Sequence, residues 1–143
     1  MGVTSVGIIV EREIAPAGDT YAAIPDVHSV QSPQGTTDEI DVTAFDSANG
    51  FEEVVSGIRR GGSIQLEIHY DGANTQHQLL SDDFIAGDTA LRRWHITWPD
   101  SAATTLLEFY GWVSGYSIAA SVGGAQTLSV TIRCTGTPDY DHT

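Results

Sequence analysis

Apolar side chains recur at every second position in three segments, residues 63–70, 91–98 and 127–134. A period of two predicts strands that are buried on one face and polar on the other. The longer stretch 105–119 is also rich in β-forming residues, and Gly111 and Gly115 predict a bend or bulge within it. Weaker strand patterns lie at 5–14, 25–31 and 38–45. Strand signals therefore dominate the chain.

Residues 74–86 carry the one readable helical pattern. Asn74 or Thr75 suits the N-cap, and Gly87 suits the position just after the last turn. The pattern places four apolar side chains on one stripe: Leu79, Leu80, Phe84 and Ile85. Asp82 and Asp83 are expected on a solvated face, because the helix dipole does not favour carboxylates near a C-terminus.

The order of these elements predicts a mainly β protein, an antiparallel β-sandwich with one flanking α-helix. A single domain spans residues 1–143. Segment 32–62 is the least core-like part, with six acids between Asp38 and Glu53 and no base among them. We expect it to form a long loop, and such loops in compact domains are usually functional or disordered. Residues of about 1–20 and 136–143 are expected to be terminal arms.

Charge narrows the range of functions. The 143 residues contain no lysine, and 6 arginines stand against 19 acids, which gives a net charge of −13. The absence of lysine excludes Schiff-base chemistry and the lysine of a phosphate-binding loop. So acidic a chain is also poorly suited to binding nucleic acid, since such binding needs basic patches on the protein surface. It remains compatible with a protein past which nucleic acid slides.

The single cysteine, Cys134, excludes an intrachain disulfide framework and a cysteine-based metal site. Its place in an alternating segment predicts a buried structural thiol. The apolar run from Val6 to Val10 is too short for a membrane span and lacks the basic flank of a signal peptide. We therefore expect a soluble protein made in the cytoplasm, without contact with a membrane.

No catalytic or nucleotide-binding motif is present, and the five histidines are scattered, which favours surface histidines over a metal site. We expect no enzyme activity, no metal and no cofactor, although a hydrolase whose site assembles in space is an open alternative. Five aromatic residues favour core packing, with a sugar-stacking platform as the alternative: Trp94, Trp98, Phe109, Tyr110 and Trp112. A carbohydrate-binding β-sandwich on a virion or cell surface is thus the second candidate function.

One block of residues points to a family. Ile40-Asp41-Val42-Thr43 is followed by Asp46-Ser47, then Phe51-Glu52-Glu53, then paired glycines and the alternating strand ending at His69-Tyr70-Asp71. This order resembles the tail tube protein of long-tailed, non-contractile bacteriophages. The helix with its leucine pair, Trp98-Pro99-Asp100 and the terminal strand follow in the family's order. The resemblance covers residues 20–136.

The resemblance implies a tail-tube fold and a structural virion protein. Its copies would form hexameric rings that stack into the hollow tube through which phage DNA is ejected into the host, without specific DNA binding. The implied partners are other copies of the chain, the tape-measure protein, the tail tip and the tail terminator. The implied location is the virion tail, after synthesis in the host bacterial cytoplasm.

The same resemblance assigns the long loop to contacts between subunits. The residues expected there are Asp38, Asp41, Phe45, Asp46, Phe51, Glu52, Glu53, Arg59 and Arg60. Arg59 and Arg60, like the pair Arg92 and Arg93, are expected to meet carboxylates of a neighbouring subunit or, equally, to pair within the chain.

Side chains of an assembled barrel alternate between core and channel, so one polar set should line the bore. The set expected from the sequence is Asp41, Thr43, Gln65, Glu67, His69, Ser129, Thr131 and Arg133. Asp41 and Glu67 are the expected luminal acids, and strand 91–98 is the alternative lining. Negative charge in the bore would deny DNA phosphates a partner and so ease their passage.

Overall fold

The computed structural model describes residues 7–14, 20–99 and 104–142. In order along the chain, its elements are β1 (Ile9–Glu13), β2 (Tyr21–Ala23), β3 (Val27–Gln31), β4 (Thr36–Asp41), β5 (Val54–Arg60), β6 (Ser63–His69), α1 (Thr75–Ala86), β7 (Arg92–Pro99), β8 (Thr104–Ala119) and β9 (Thr127–His142). Short 3₁₀ turns lie at Ala48–Gly50 and Gly87–Ala90. Within these ranges, no helix is long and apolar enough to cross a membrane.

Seven of the strands form one antiparallel sheet in the order β2-β1-β7-β8-β9-β6-β3. Strands β4 and β5 form a separate two-stranded sheet, also antiparallel. The predicted mainly β, antiparallel fold with one helix is therefore confirmed. Hydrogen bonding is continuous through the seven strands, and the two long strands, β8 and β9, join the β7 side of the sheet to the β6 side.

The inward faces of these strands enclose one hydrophobic core. On the β6 side, Leu66 lies opposite Val130, and on the β7 side Trp94 lies opposite Phe109. All four are at most 2% exposed, although β8 and β9 separate β6 from β7 in the sheet. The sheet must therefore curl so that its two ends share a core. Each such buried side chain contributes about 1.5–3 kcal/mol.

Glycines in β8 permit the bend predicted there. The pairing of β8 with β9 shifts between Val113 and Gly115, which leaves Ser114 as the extra residue of a bulge. A Cβ atom on Gly111 would lie 2.9 Å from the carbonyl oxygen of Arg133, closer than real Cβ atoms approach backbone. Glycine is therefore required where the two paired long strands lie this close together.

Helix α1 begins as predicted but buries a different stripe. The Asn74 side chain caps it by accepting hydrogen bonds from the amides of Gln76 and His77, and Gly87 ends it with φ of +63°. The buried residues are His77, Leu80 and Asp83. The predicted apolar stripe is wrong at two of its four positions, because Phe84 and Ile85 are 42% and 82% exposed.

Two further expectations are corrected. Segment 32–62 was expected to be a long loop with a weak strand at 38–45, and it contains a β-hairpin of two strands, β4 and β5. The expected C-terminal tail is the end of β9, which pairs with β8 as far as His142 opposite Thr105. Of the expected N-terminal arm, β1 is an interior strand between β2 and β7, while residues 1–6 and 15–19 lie outside the described ranges.

Candidate assembly and lumen surfaces

The β4–β5 hairpin presents apolar side chains to solvent. Its strands pair from Thr36 opposite Arg60 to Asp41 opposite Val54, and no residue from 34 to 60 is buried. Seven large apolar residues are exposed on it: Ile40, Val42, Phe45, Phe51, Val54, Val55 and Ile58. A concentration of exposed apolar side chains marks an interaction surface, because water contact with them is unfavourable.

The tip of the hairpin, residues 42–53, is held by its own hydrogen bonds. The Asp41 carboxylate accepts from the Thr43 amide at 2.8 Å, and hydrogen bonding to Thr43 holds the pKa of Asp41 below its usual value. The Glu53 amide donates to the Thr43 hydroxyl at 2.8 Å, and Ser47 Oγ donates to Glu53 Oε2 at 3.1 Å. The tip therefore has a defined shape although it is exposed.

Two acidic residues at the hairpin tip have no polar partner in the described part of the chain. Within the described ranges, the carboxylates of Asp46 and Glu52 make no hydrogen bond or ion pair. Each follows an exposed aromatic residue, Phe45 or Phe51. The tip thus offers two adjacent pairs of an aromatic ring and a free carboxylate.

The arginines of the hairpin differ from each other. Arg60 Nη2 lies 3.0 Å from Asp38 Oδ2, and this contact raises the pKa of Arg60 above its usual value. Both side chains are about half exposed, so the pair adds little stability. Arg59 has no ion-pair partner in the part of the chain that the structure describes. Of the two, only Arg59 is thus left for a carboxylate of a neighbour.

The other predicted arginine pair has its partners within the chain. Arg92 Nε donates to Asp83 Oδ1 at 3.2 Å, and Arg93 Nε donates to Glu13 Oε2 at 3.1 Å. The intrachain alternative is therefore confirmed for Arg92 and Arg93, whose guanidinium groups pair with carboxylates of their own subunit. Asp83 also accepts two hydrogen bonds from Arg12, which is 2% exposed.

Asp83 was expected on a solvated face and is instead 3% exposed. The sequence pattern missed it because Arg12, which donates two hydrogen bonds to it, lies 71 positions away along the chain, and Arg92, 9 positions away, lies beyond the helix on β7. One signal was present: Arg12 stands two positions after Val10, on the inward face of β1 opposite Trp94. A charged residue at an inward position requires a buried counter-charge.

Six of the residues expected to line the bore lie together on one polar sheet face. We use this name for the outward sides of β3, β6, β9 and the end of β8. In β6 and β9, Gln65 lies opposite Thr131, and Glu67 lies opposite Ser129. His69 and Arg133 flank these rows, opposite Thr127 and Ser63. Alternation in both strands thus produces the common face that the sequence predicted.

Charge on this face is sparse. Among the six predicted residues, Glu67 is the single carboxylate and Arg133 the single guanidinium. His28 Nε2 lies 3.5 Å from Glu67 Oε2, and the rings of His28 and His69 stack at 4.2 Å. The other three predicted members, Gln65, Ser129 and Thr131, carry one amide and two hydroxyls. Most of the chain's excess negative charge therefore lies elsewhere, including the six acids of the hairpin.

Asp41 and Thr43 are not part of that face. Asp41 ends β4, Thr43 lies beyond it in the hairpin tip, and β4 shares no ladder with β6 or β9. The two residues were expected on the polar side of a strand that reached residue 45. The strand stops earlier because Thr43 turns back on Asp41 through the hydrogen bond described above.

The aromatic residues considered as a sugar platform are partly in the core. Trp94 and Phe109 are 0% and 2% exposed, and Trp94 Nε1 donates to the carbonyl of Gly111 at 3.1 Å. Trp98 and Trp112 are half-buried, and only Tyr110 is exposed. A flat platform of all five is therefore ruled out, as the core interpretation predicted.

His77 is an exception to the expectation of surface histidines. Its ring is fully buried, with Nε2 2.8 Å from the carbonyl of Pro25, and its Nδ1 accepts from the Asp71 amide at 3.1 Å. These two contacts join α1 to the loop before β3. In the described ranges, no three side chains of histidine, cysteine, aspartate or glutamate are grouped to hold a metal ion.

Cys134 is buried in β9, as the alternation predicted, and is 6% exposed. Burial raises the pKa of its thiol from 9.0 to about 11. The thiol is therefore protonated at neutral pH, and this is the state of a structural cysteine.

The chain matches the model of a known protein family. A family model described as lambda phage tail tube protein (TTP) matches residues 11–141. No curated protein sequence matches the chain.

Several solved structures share the fold. The virion of a native gene transfer agent particle contains a chain with a TM-score of 0.76 at 15% identity, covering 98% of this chain and 99% of that one. The tail of an empty gene transfer agent particle, refined with C6 symmetry, gives 0.74 at 16%, covering 94% and 95%. A sheath and tube terminator of an extracellular contractile injection system gives 0.72 at 13%, covering 99% and 97%. At these identities the likeness shows the fold.

Proposed function

The chain belongs to the lambda phage tail tube protein family and is a structural, tube-forming protein of the virion tail, and from that membership we propose how it works. Six copies form a ring, and rings stack into the hollow tube of a long-tailed, non-contractile phage tail. Phage DNA passes through the tube during ejection into the host. The role is mechanical, without an enzymatic step.

The observation that supports assembly most directly is the hairpin. Seven large apolar side chains on residues 40–58 remain exposed in the isolated subunit. Each is at least 46% exposed, so much of its apolar surface can be buried only against another molecule. A tube contains many copies of the same subunit, so a second copy is always available as the partner. The hairpin residues expected at subunit contacts remain our proposal for that interface.

The polar sheet face, apart from Arg133 at its edge, is the proposed lining of the bore. Its amides and hydroxyls give DNA few charged groups to bind, and Glu67 repels phosphate. The alternative lining, strand β7, is a weaker candidate because Arg93 and His95 on its outward side are engaged with Glu13 and Glu108. Asp41 and Thr43 would contribute only if the hairpin tip reached the bore of the assembled tube.

The ends of such a tube require other proteins. We propose that the tape-measure protein occupies the bore during assembly, that a tail tip protein starts the tube, and that a terminator protein stops it. Subunits are made in the host bacterial cytoplasm and remain soluble there, since a net charge of −13 keeps free copies apart.

Electron microscopy of the purified full chain tests the proposal. Concentrated protein in negative stain should show rings with six-fold symmetry and tubes built from them. A population that stays monomeric at every concentration, temperature and salt level, and that instead binds members of a glycan array, would support the carbohydrate-binding alternative and contradict tube formation.

A further inference from the structure

A groove of about 710 Å³ lies between the base of the hairpin and the second half of β9. Hairpin residues 58–60 form one wall, and residues 133–138 of β9 form the other. The pairing of β9 with β8 shifts between Thr135 and Asp139, and Gly136 has φ of +78° there. The irregular stretch of β9 thus turns away from its neighbour and opens the groove.

The groove gathers positive charge in a strongly acidic protein. Three of the six arginines line it, Arg59, Arg60 and Arg133, and none of its lining residues is an acid. Arg60 pairs with Asp38, outside the lining. In the part of the chain that the structure describes, Arg59 and Arg133 have no carboxylate partner. Ile58, Pro138 and Tyr140 add an apolar and aromatic surface beside them.

The hairpin tip has the complementary chemistry. Asp46 and Glu52 are its two acids without a partner, and the fully exposed Phe45 and the 72% exposed Phe51 precede them. Two carboxylates beside two aromatic rings match two free guanidinium groups beside apolar and aromatic side chains. Guanidinium groups bind carboxylates through paired hydrogen bonds and also stack on aromatic faces.

A tip cannot occupy its own groove while the hairpin keeps its form. Thr36 and Arg60 pair at the base beside the groove, and Asp41 and Val54 pair at the far end. Asp41 lies five positions after Thr36 along β4, which is roughly 17 Å of strand. The occupant must therefore come from another molecule.

We propose that the hairpin tip of one copy docks in the arginine groove of a second copy, with Asp46 and Glu52 on Arg59 and Arg133. The proposal rests on the proposed tube-forming function and identifies the two surfaces that meet in it. Tip and groove are different surfaces, so the contact is heterologous: every subunit offers one tip and one groove. Such a contact repeats around a ring or along a stack.

Complementary charge reversal in the full-length protein tests the contact. One variant carries Arg59→Glu with Arg133→Glu, and the other carries Asp46→Arg with Glu52→Arg. Each variant alone should raise the concentration needed for tube formation at least about tenfold, since its tip and groove repel. An equimolar mixture should recover tubes, because each variant's tip then meets the other's groove with opposite charge.

The outcomes separate the docking from the tube itself. Wild-type protein that never assembles contradicts the proposed function. Wild-type tubes together with normal tubes from either reversed variant alone overturn the docking. A mixture that stays unassembled also overturns it, provided both variants are folded by circular dichroism. If either is not folded, Arg59→Gln with Arg133→Gln replaces it in the same assay. If this neutralised variant formed tubes at the same concentration as the wild type and with the same salt dependence, the contact would be refuted.

Discussion

Arg12 and Asp83 form a buried ion pair between β1 and α1. Nε and Nη2 of Arg12 donate to the two carboxylate oxygens of Asp83 at 2.6 and 2.8 Å. Arg92 adds a third contact at 3.2 Å and also donates to the carbonyls of Glu13 and Ile14. The helix is thereby fixed against the sheet by one carboxylate shared between two strands.

Replacing Asp83 with asparagine should destabilise the subunit by about 3–5 kcal/mol, because it leaves the buried Arg12 without a counter-charge. Urea unfolding followed by tryptophan fluorescence measures the free energy of unfolding. Asp82→Asn is the matched control one position away, and its exposed side chain should change stability by no more than about 0.5 kcal/mol. Equal effects of the two substitutions would contradict the role of the pair.

Phe45→Ser should impair tube formation without loss of subunit stability. The ring is fully exposed in the isolated chain, and its burial between subunits contributes about 1.5–3 kcal/mol. The concentration required for assembly should rise about tenfold or more, as measured by sedimentation of tubes. Val122→Ser removes an equally exposed apolar side chain from the turn before β9 and should leave assembly unchanged. Loss of assembly in both variants would argue against a specific role for the tip.

Backbone amides of β4 and β5 should exchange quickly in the free subunit and slowly in the tube. The hairpin has no buried residue to stabilise it, whereas β6 and β9 enclose the core. Hydrogen exchange with mass spectrometry on both forms measures this difference, with the β6–β9 ladder as the internal reference. Strong protection of the hairpin already in the free subunit would contradict the idea that assembly stabilises it.

Glu67→Lys should slow DNA ejection from otherwise normal particles if the polar sheet face lines the bore. The substitution replaces the one carboxylate of the six predicted residues with an ammonium group in every subunit of every ring. The effect should be strongest at low salt, where screening of phosphate is weakest. Asp82→Lys makes the same charge change on the exposed face of α1 and should eject normally. If Glu67→Lys particles ejected DNA at the wild-type rate at low salt, either Glu67 would lie outside the bore or charge in the bore would have no effect on DNA passage.

Cys134 should resist alkylation at pH 8 in the folded subunit. Its pKa of about 11, against an ordinary 9.0, lowers the thiolate fraction roughly 100-fold, and burial slows access further. Iodoacetamide labelling before and after unfolding in urea measures the ratio. Fast labelling of the native protein would contradict the assignment.

The same thiol has a consequence for stability at high pH. Because its pKa is raised on folding, its contribution is complete below about pH 9 and falls as the pH rises from there to about 11. Cys134→Val should lack this decline. The free energies of unfolding of the wild type and the variant should therefore become equal or change order as the pH rises from about 9 to about 11.

Much of the fold followed from local pattern. Alternation predicted β6, β7 and the first half of β9, because a strand with one buried face must repeat every two residues. Asn74 and Gly87 predicted the ends of α1, because both act on the backbone within one turn of themselves. The grouping of Gln65, Glu67, Ser129 and Thr131 on one face followed from the same alternation. The I-D-V-T block indicated the family.

The tertiary structure alone decided which polar residues are buried. Asp82 and Asp83 are indistinguishable in sequence, yet only Asp83 faces Arg12, 71 positions away. Strand β5 and the end of β9 lack a buried face, so no hydrophobic period marks them. The weak pattern at 38–45 marked part of β4 but not its partner, and cross-strand hydrogen bonds define both pairings. The arginine groove likewise joins residues 59 and 133, which come together because β6 pairs with β9 and sets Ser63 opposite Arg133. Burial and charge pairing depend on contacts between residues that are far apart in the chain, and a local hydrophobic pattern cannot show such contacts.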